Sequence, residues 1–261
     1  MDPIEDTGPG DRRTLVLIGS AVVAVLLVAL AVFALTGDDG DDDDETVAAV
    51  DPDEPAATEA PADDEQAADD EEPADSGCPP EDGSGPQVLQ FDAPPPVCID
   101  ESATYEATMV TSEGDIVITL DPALDPVSVN NFIFLARNNY YDGTTFHRVI
   151  ESFVIQGGDP VGNPRGTGGP GYDFQGGPGP ESGYELGSFA MANRGDPSSN
   201  GAQFFIITGP NGQALPPLYS PMGIVTEGLD VALAIQTVPT EGADQPVDDV
   251  IVEDVVITEV G

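Results

Sequence analysis

After residue 99 the hydrophobic positions fall mostly into short runs with a period of two, the repeat of strands that bury one face. The alternation is weak over Tyr105–Thr111 and clear over Asp115–Leu120, and the stretch Thr111-Ser112-Glu113-Gly114-Asp115 between them has the composition of a hairpin turn. Further strands are predicted over Thr145–Ile150, Phe153–Gln156, Ser188–Ala192, Phe204–Ile207 and Met222–Val225. A closing strand is expected over Val250–Val260, with Ile251, Val255, Val256 and Ile257 as core candidates. Two stretches change to a helical repeat. After Asp125-Pro126, the residues Val129, Phe132, Ile133, Leu135 and Ala136 line one face until Asn138, Asn139, Asp142 and Gly143 end it, and Gly228–Gln236 reads as a second helix. Short strands, frequent Gly/Pro turns and two helices predict a mainly β domain, a closed antiparallel barrel with helices over its ends.

Composition divides the rest of the chain. Leu15 to Leu35 carries no charge and no proline, and it is long enough to cross a hydrocarbon core of roughly 30 Å as a helix. Arg12 and Arg13 precede it and Asp38 to Glu45 follow, so the positive-inside rule puts the N-terminus in the cytoplasm and the remainder outside. An uncleaved single-pass anchor over 15–36 is expected; the competing reading is a cleaved signal peptide, whose apolar core is usually shorter. From 37 to 98 the chain is rich in Asp, Glu, Ala and Pro. Such a segment buries too little apolar surface to offset its chain entropy, and a disordered acidic linker is expected. The expected plan is therefore a cytoplasmic N-terminus over 1–14, a transmembrane helix over 15–36, a linker over 37–98 and one globular domain over 99–261.

The formal net charge is −43, with six arginines and no lysine. Without a basic surface to replace phosphate counterions, nucleic-acid binding is excluded. The acidity keeps chains apart, and a sharper reading is adaptation to high salt, where self-repulsion is screened. A monomer is expected. Cys78 and Cys98, the only cysteines, lie outside the membrane in this orientation, where they can pair; two free thiols in a linker are the alternative. No Cys/His cluster suggests zinc. Asp159-Pro160 and the acidic clusters lack the spacing of an EF-hand, so no metal or other cofactor is expected. Gly166-Thr167-Gly168-Gly169-Pro170-Gly171 matches a dinucleotide fingerprint in letters only, because Pro170 and its neighbours deny the helix that must follow.

Two segments carry the chemistry. Phe146-His147-Arg148-Val149-Ile150 runs on to Gln156-Gly157-Gly158-Asp159, and Gly187-Ser188-Phe189-Ala190-Met191-Ala192-Asn193 runs on to Asn200-Gly201-Ala202-Gln203-Phe204-Phe205-Ile206. They set one of few arginines among apolar strands. In these residues, and over roughly Tyr105 to the C-terminus, the sequence resembles the cyclophilin-type peptidyl-prolyl cis-trans isomerases, and Thr167–Tyr172 resembles a loop of the bacterial-type members. The resemblance implies a barrel of eight strands capped by two helices and a catalytic arginine at Arg148. It also implies a proline pocket of Phe153, Val154, Phe205 and Leu215, with hydrogen bonds from Gln156 and Gln203. Ala192 and Asn193 would line the substrate chain, Asn193 through its backbone. Val154 stands where the family usually has Met, and Tyr219 where it has a pocket histidine. His147, the only histidine, is expected to be structural, because strand alternation turns it away from Arg148 and no hydrolase motif accompanies it.

The functional expectation is a membrane-anchored, extracytoplasmic isomerase that assists folding of exported, proline-containing proteins. A binding module on the same fold, gripping Pro-containing segments as a holdase with little catalysis, is the alternative.

Overall fold

The computed structural model of the chain describes residues 77–261. Along it run β1 (Tyr105–Thr111), β2 (Gly114–Leu120), α1 (Pro126–Arg137), β3 (Thr144–Thr145), β4 (Arg148–Ile150), β5 (Val154–Gly157), β6 (Ser188–Met191), a 3-10 turn (Pro197–Ser199), β7 (Phe204–Ile207), α2 (Pro210–Gln213), β8 (Pro221–Glu227), α3 (Leu229–Ile235), β9 (Thr240–Glu241), β10 (Gln245–Pro246) and β11 (Ile251–Glu259). Nine of the strands pair in one sheet in the order β3-β11-β1-β2-β8-β6-β7-β5-β4, and β9 and β10 form a separate hairpin. Every pairing in the sheet is antiparallel. Strands β3 and β4 lie at opposite edges of that order, yet only Phe146 and His147 separate them in the chain. The sheet therefore curls enough for two residues of chain to link its two edges.

Period-two alternation has a different consequence in the middle of this sheet than in β1 and β2. In β1, every second residue from Tyr105 to Thr111 is buried and those between are half-exposed. In β7 all four residues are buried, because both faces are covered. Phe204 and Ile206 join the main core with Phe189, Met191 and Ile155. Phe205 and Ile207 join a second, smaller cluster with Val154, Ala190 and Tyr184, flanked by Phe153, Ala192, Leu215 and Tyr219. Helix α1 starts at Pro126, whose fixed φ and missing N–H suit the first turn. It buries Phe132 among Tyr141, Phe189 and Phe204, with ring centroids 5.0, 5.0 and 5.9 Å away. A ring enclosed in this way contributes about 1.5–3 kcal/mol by burial alone.

Three expectations change. The closed eight-stranded barrel is, in the described residues, a curled nine-stranded sheet with no ladder joining β3 to β4, and a one-turn helix, α2, accompanies α1 and α3. The single strand expected over Thr145–Ile150 breaks at Phe146 and His147: the N–H of Phe146 goes to Val250 and that of Val149 to Asp244, so one run serves two edges. The linker expected through residue 98 meets packed chain at 77–98. There Leu89 and Phe91 lie against the main core, and Cys78 is bonded to Cys98. Among the described residues no helix is long and apolar enough to cross a membrane; the span expected over 15–36 lies outside them.

Candidate active site

The register of four strands builds the site. Arg148 on β4 stands opposite Gln156 on β5, Gln156 opposite Phe205 on β7, and Phe205 opposite Ala190 on β6. Directly paired side chains share a face and come within about 5 Å. One row across the sheet thus sets a guanidinium, an amide and an aromatic ring side by side. Val149, next to Arg148, is buried in the main core, which leaves Arg148 on the outer face.

Around this row lies a cavity of about 100 Å³ lined by Arg148, Phe153, Val154, Gln156, Ala192, Asn193, Phe205, Leu215 and Tyr219. Nine of the ten sequence-derived site residues meet there; Gln203 instead lines a neighbouring cavity of about 640 Å³, which shares Gln156, Ala192 and Asn193 with the first. The two are joined through hydrogen bonds. Arg148 Nη1 donates to Gln156 Oε1 at 3.3 Å, Gln156 Nε2 donates to Gln203 Oε1 at 3.0 Å, and Gln203 Nε2 donates to the carbonyls of Gly166 and Gly168, both at 3.0 Å. The Arg148 guanidinium carbon lies 5.7 Å from the Phe153 ring centroid, a cation–π distance. Its Nε is 3.9 Å from the Asp244 carboxylate.

The apolar wall is Phe205 against Tyr219, edge to face with centroids 5.3 Å apart. Tyr219 is fixed through its main chain, since the Tyr184 hydroxyl donates to its carbonyl at 2.7 Å and accepts from its N–H at 3.1 Å. Gly179 makes room for that clasp, because a Cβ there would stand 2.0 Å from the Tyr184 hydroxyl. The Asn193 side chain is bound inward, its Nδ2 donating to Leu218 O at 2.8 Å and Asn200 Oδ1 at 3.1 Å. The Asn193 Oδ1 accepts from Gly195 N–H at 2.9 Å, so both ends of the side-chain amide are occupied within the protein.

Asp159, which was not among the expected site residues, is buried at the end of the Gln-Gly-Gly-Asp run. Its carboxylate accepts from the N–H groups of Val161, Gly162, Gly166 and Gly168 at 2.6 to 3.1 Å. It thereby shapes the loop whose carbonyls hold Gln203. His147 is buried beneath Gly166, and neither ring nitrogen has a hydrogen-bond partner. Burial pushes its pKa below the usual 6.5, opposed by the negative charge of Asp159. Tyr184 and Asp244 carried no signal in the sequence, since neither lies in a patterned strand or a motif.

Residues 107–257 match the family model for cyclophilin type peptidyl-prolyl cis-trans isomerases. The chain belongs to this family. Its enzyme class is accordingly peptidyl-prolyl cis-trans isomerase. Peptidyl-prolyl cis-trans isomerase B of Streptomyces anulatus is 42% identical over 170 residues, spanning 58% of this chain and 95% of that protein. Peptidyl-prolyl cis-trans isomerase A of Mycobacterium tuberculosis is 40% identical over 177 residues, 60% of this chain and 93% of that one. Among solved structures, a cyclophilin type isomerase of Cryptosporidium parvum superposes with a TM-score of 0.54 at 32% identity, covering 60% of this chain and 99% of that one. The same protein solved in the presence of the dipeptide Ala-Pro superposes with a TM-score of 0.53 at 32% identity, covering 59% of this chain and 98% of that one. The match runs from within β1 to within β11, so the 77–98 segment lies outside it.

Proposed function

We propose that this cyclophilin isomerises X-Pro bonds of exported proteins outside the membrane, with Arg148 as the catalytic donor. The observation that carries the mechanism is the row Arg148–Gln156–Phe205, which sets a fixed cation beside an apolar pocket. Rotation about a peptide bond faces a barrier of about 18–20 kcal/mol from amide resonance. In the twisted state the prolyl nitrogen is pyramidal and has regained a lone pair, whereas in either planar isomer it has none to offer. A donor aimed at that nitrogen stabilises the transition state and leaves the ground states alone, which is what accelerates the step. Arginine suits this because its charge is permanent and its N–H groups form a rigid fork. The proline ring would rest on Phe205, Val154 and Leu215, and the main chain of Asn193 would hold the peptide. No bond is made or broken, so the chemistry needs no cofactor.

The proposed compartment rests on the sequence pattern. The apolar run Leu15–Leu35, with arginines before it and acids after it, supports a single-pass anchor with the domain on the outer side. An acidic tether there would let the domain search a zone around its anchor for emerging chains. Titration of a Pro-containing peptide into the full chain and into Arg148→Ala separates catalysis from capture. An isomerase keeps its peptide affinity in the variant while turnover collapses; a holdase keeps affinity and never had turnover to lose.

A further inference from the structure

We propose that Gln90 and Phe91 are positioning residues of the isomerase site, locked in place by the Cys78–Cys98 disulfide; this rests on the site reading given above. The 77–98 segment contains no helix or strand, yet it crosses the outer side of the loop that walls the larger cavity. Phe91 N–H donates to Pro170 O at 2.8 Å, and Gln90 Nε2 donates to Gly169 O at 3.0 Å. The Phe91 ring packs edge-on against Phe134 at 5.1 Å and Tyr172 at 6.4 Å.

The loop is built to receive this strap. Gly171 has φ +101°, and a Cβ on it would stand 2.4 Å from Phe91 O. Only glycine lets the strap come so close. The inner side of the same loop holds the site, since Gly166 and Gly168 fix Gln203, Gln203 fixes Gln156, and Gln156 fixes Arg148. Three successive side-chain contacts therefore separate the loop from the proposed catalytic guanidinium. A shift of the 168–172 backbone is carried to Arg148 because each link is a directional hydrogen bond rather than a soft apolar contact.

What holds the strap is equally specific. The Cys98 N–H donates to Asn130 Oδ1 at 2.7 Å, Asn130 Nδ2 returns a bond to Pro96 O at 2.8 Å, and Val88 N–H donates to Asn138 O at 3.0 Å. The disulfide closes this loop over a separation of 20 residues. Opening it takes two electrons and two protons, which a dithiol supplies as it becomes a disulfide itself. Since Cys78 and Cys98 are the chain's only cysteines, a dithiol acts at this one place.

The test compares the oxidised full chain, the same chain reduced with dithiothreitol, and Phe91→Ala with the disulfide intact. Readouts are kcat/KM for a short X-Pro peptide, the thermal midpoint, and the side-chain amide resonances of Gln203 and Gln156. The reduced chain and Phe91→Ala should lose roughly threefold to thirtyfold in kcat/KM, the scale of coupling through packed contacts. The Gln203 resonances should move, and reoxidation or Phe91→Tyr should restore both. Where reduction unfolds the domain, Phe91→Ala decides. An unchanged kcat/KM with unmoved Gln203 resonances and a lower thermal midpoint would overturn the proposal and make the strap a stabiliser only. An oxidised full chain with no activity at all would sink the site reading instead, a result distinct from an unchanged ratio.

Discussion

Arg148 faces Gln156 across the β4–β5 ladder, and its Nη1 donates to Gln156 Oε1 at 3.3 Å. The guanidinium carbon also lies 5.7 Å from the Phe153 ring centroid, so two of its contacts are in place before any peptide arrives. An arginine left free to sample its rotamers would lose entropy on every encounter. Gln156→Leu keeps the volume and removes the bond. It should lower kcat/KM about tenfold to a hundredfold, the range for a lost hydrogen bond to a charged group, while the fold survives. Steady-state kinetics beside a thermal melt check this; unchanged kinetics would remove Gln156 from the mechanism.

Asp244 approaches the same guanidinium through Nε, from the turn between β9 and β10, and its carbonyl accepts from Val149 N–H at 2.8 Å. Both side chains of the pair are well exposed, at 38% and 50%. Salt therefore screens the attraction, and its worth is at most about 1 kcal/mol. Asp244→Asn should change kcat/KM by less than roughly fivefold and flatten its dependence on ionic strength. A salt dependence identical to that of the wild type would show that the pair has no part in setting Arg148.

The pH profile separates Arg148 from His147. Arginine keeps its charge throughout the working range, and buried His147 has its pKa lowered below 6.5. Activity should be flat across roughly pH 6–8, the region in which an ordinary imidazole titrates. Stability behaves differently, because the folded state resists protonating this ring. Its contribution is present above 6.5 and is lost as the pH falls below that value. A sigmoid in the rate near neutrality would bring His147 into the chemistry.

Asp142 has the opposite sign. Burial, with Asp254 adding repulsion, pushes its pKa from 3.8 up to about 6. The protonated acid suits the fold, so its contribution is complete below 3.8 and is lost as the pH rises through about 6. Asp142→Asn should gain in thermal midpoint over the wild type as the pH is raised from acid to neutral. A constant difference between the two proteins would show that Asp142 is not destabilised by ionisation in the fold.

The site residues were legible in the sequence through motif resemblance; those on strands can also be placed by alternation, whereas Asn193, Leu215 and Tyr219 lie outside every strand. Arg148, Phe153, Val154, Gln156 and Phe205 sit within or beside β4, β5 and β7, where period-two alternation fixes the face each side chain takes. The parts that were not legible lie where no period exists. Residues 77–98 have the Asp, Pro and Gly of a linker, and only their tertiary contacts, Leu89 and Phe91 on the core and Cys78 on Cys98, distinguish them from one. The β9–β10 hairpin is built from Thr240-Glu241-Gly242-Ala243-Asp244-Gln245-Pro246, which reads as a loop because no apolar face marks its strands. The split of Thr145–Ile150 into two edges was hidden for a related reason. Strand propensity says that a run is extended, but not which neighbours its N–H groups will find.

In the proposed mechanism the Arg148 guanidinium lowers the barrier to prolyl rotation. The most direct measurement is the cis-to-trans rate of a short X-Pro peptide with the full chain, at low and high salt, beside Arg148→Ala and Arg148→Lys. The wild type should accelerate isomerisation strongly, and Arg148→Ala should fall about a hundredfold to a thousandfold, as when a single transition-state donor is removed. Arg148→Lys should recover only part of that loss, because a point charge cannot replace the fork. An Arg148→Ala variant as fast as the wild type would remove Arg148 from the chemistry.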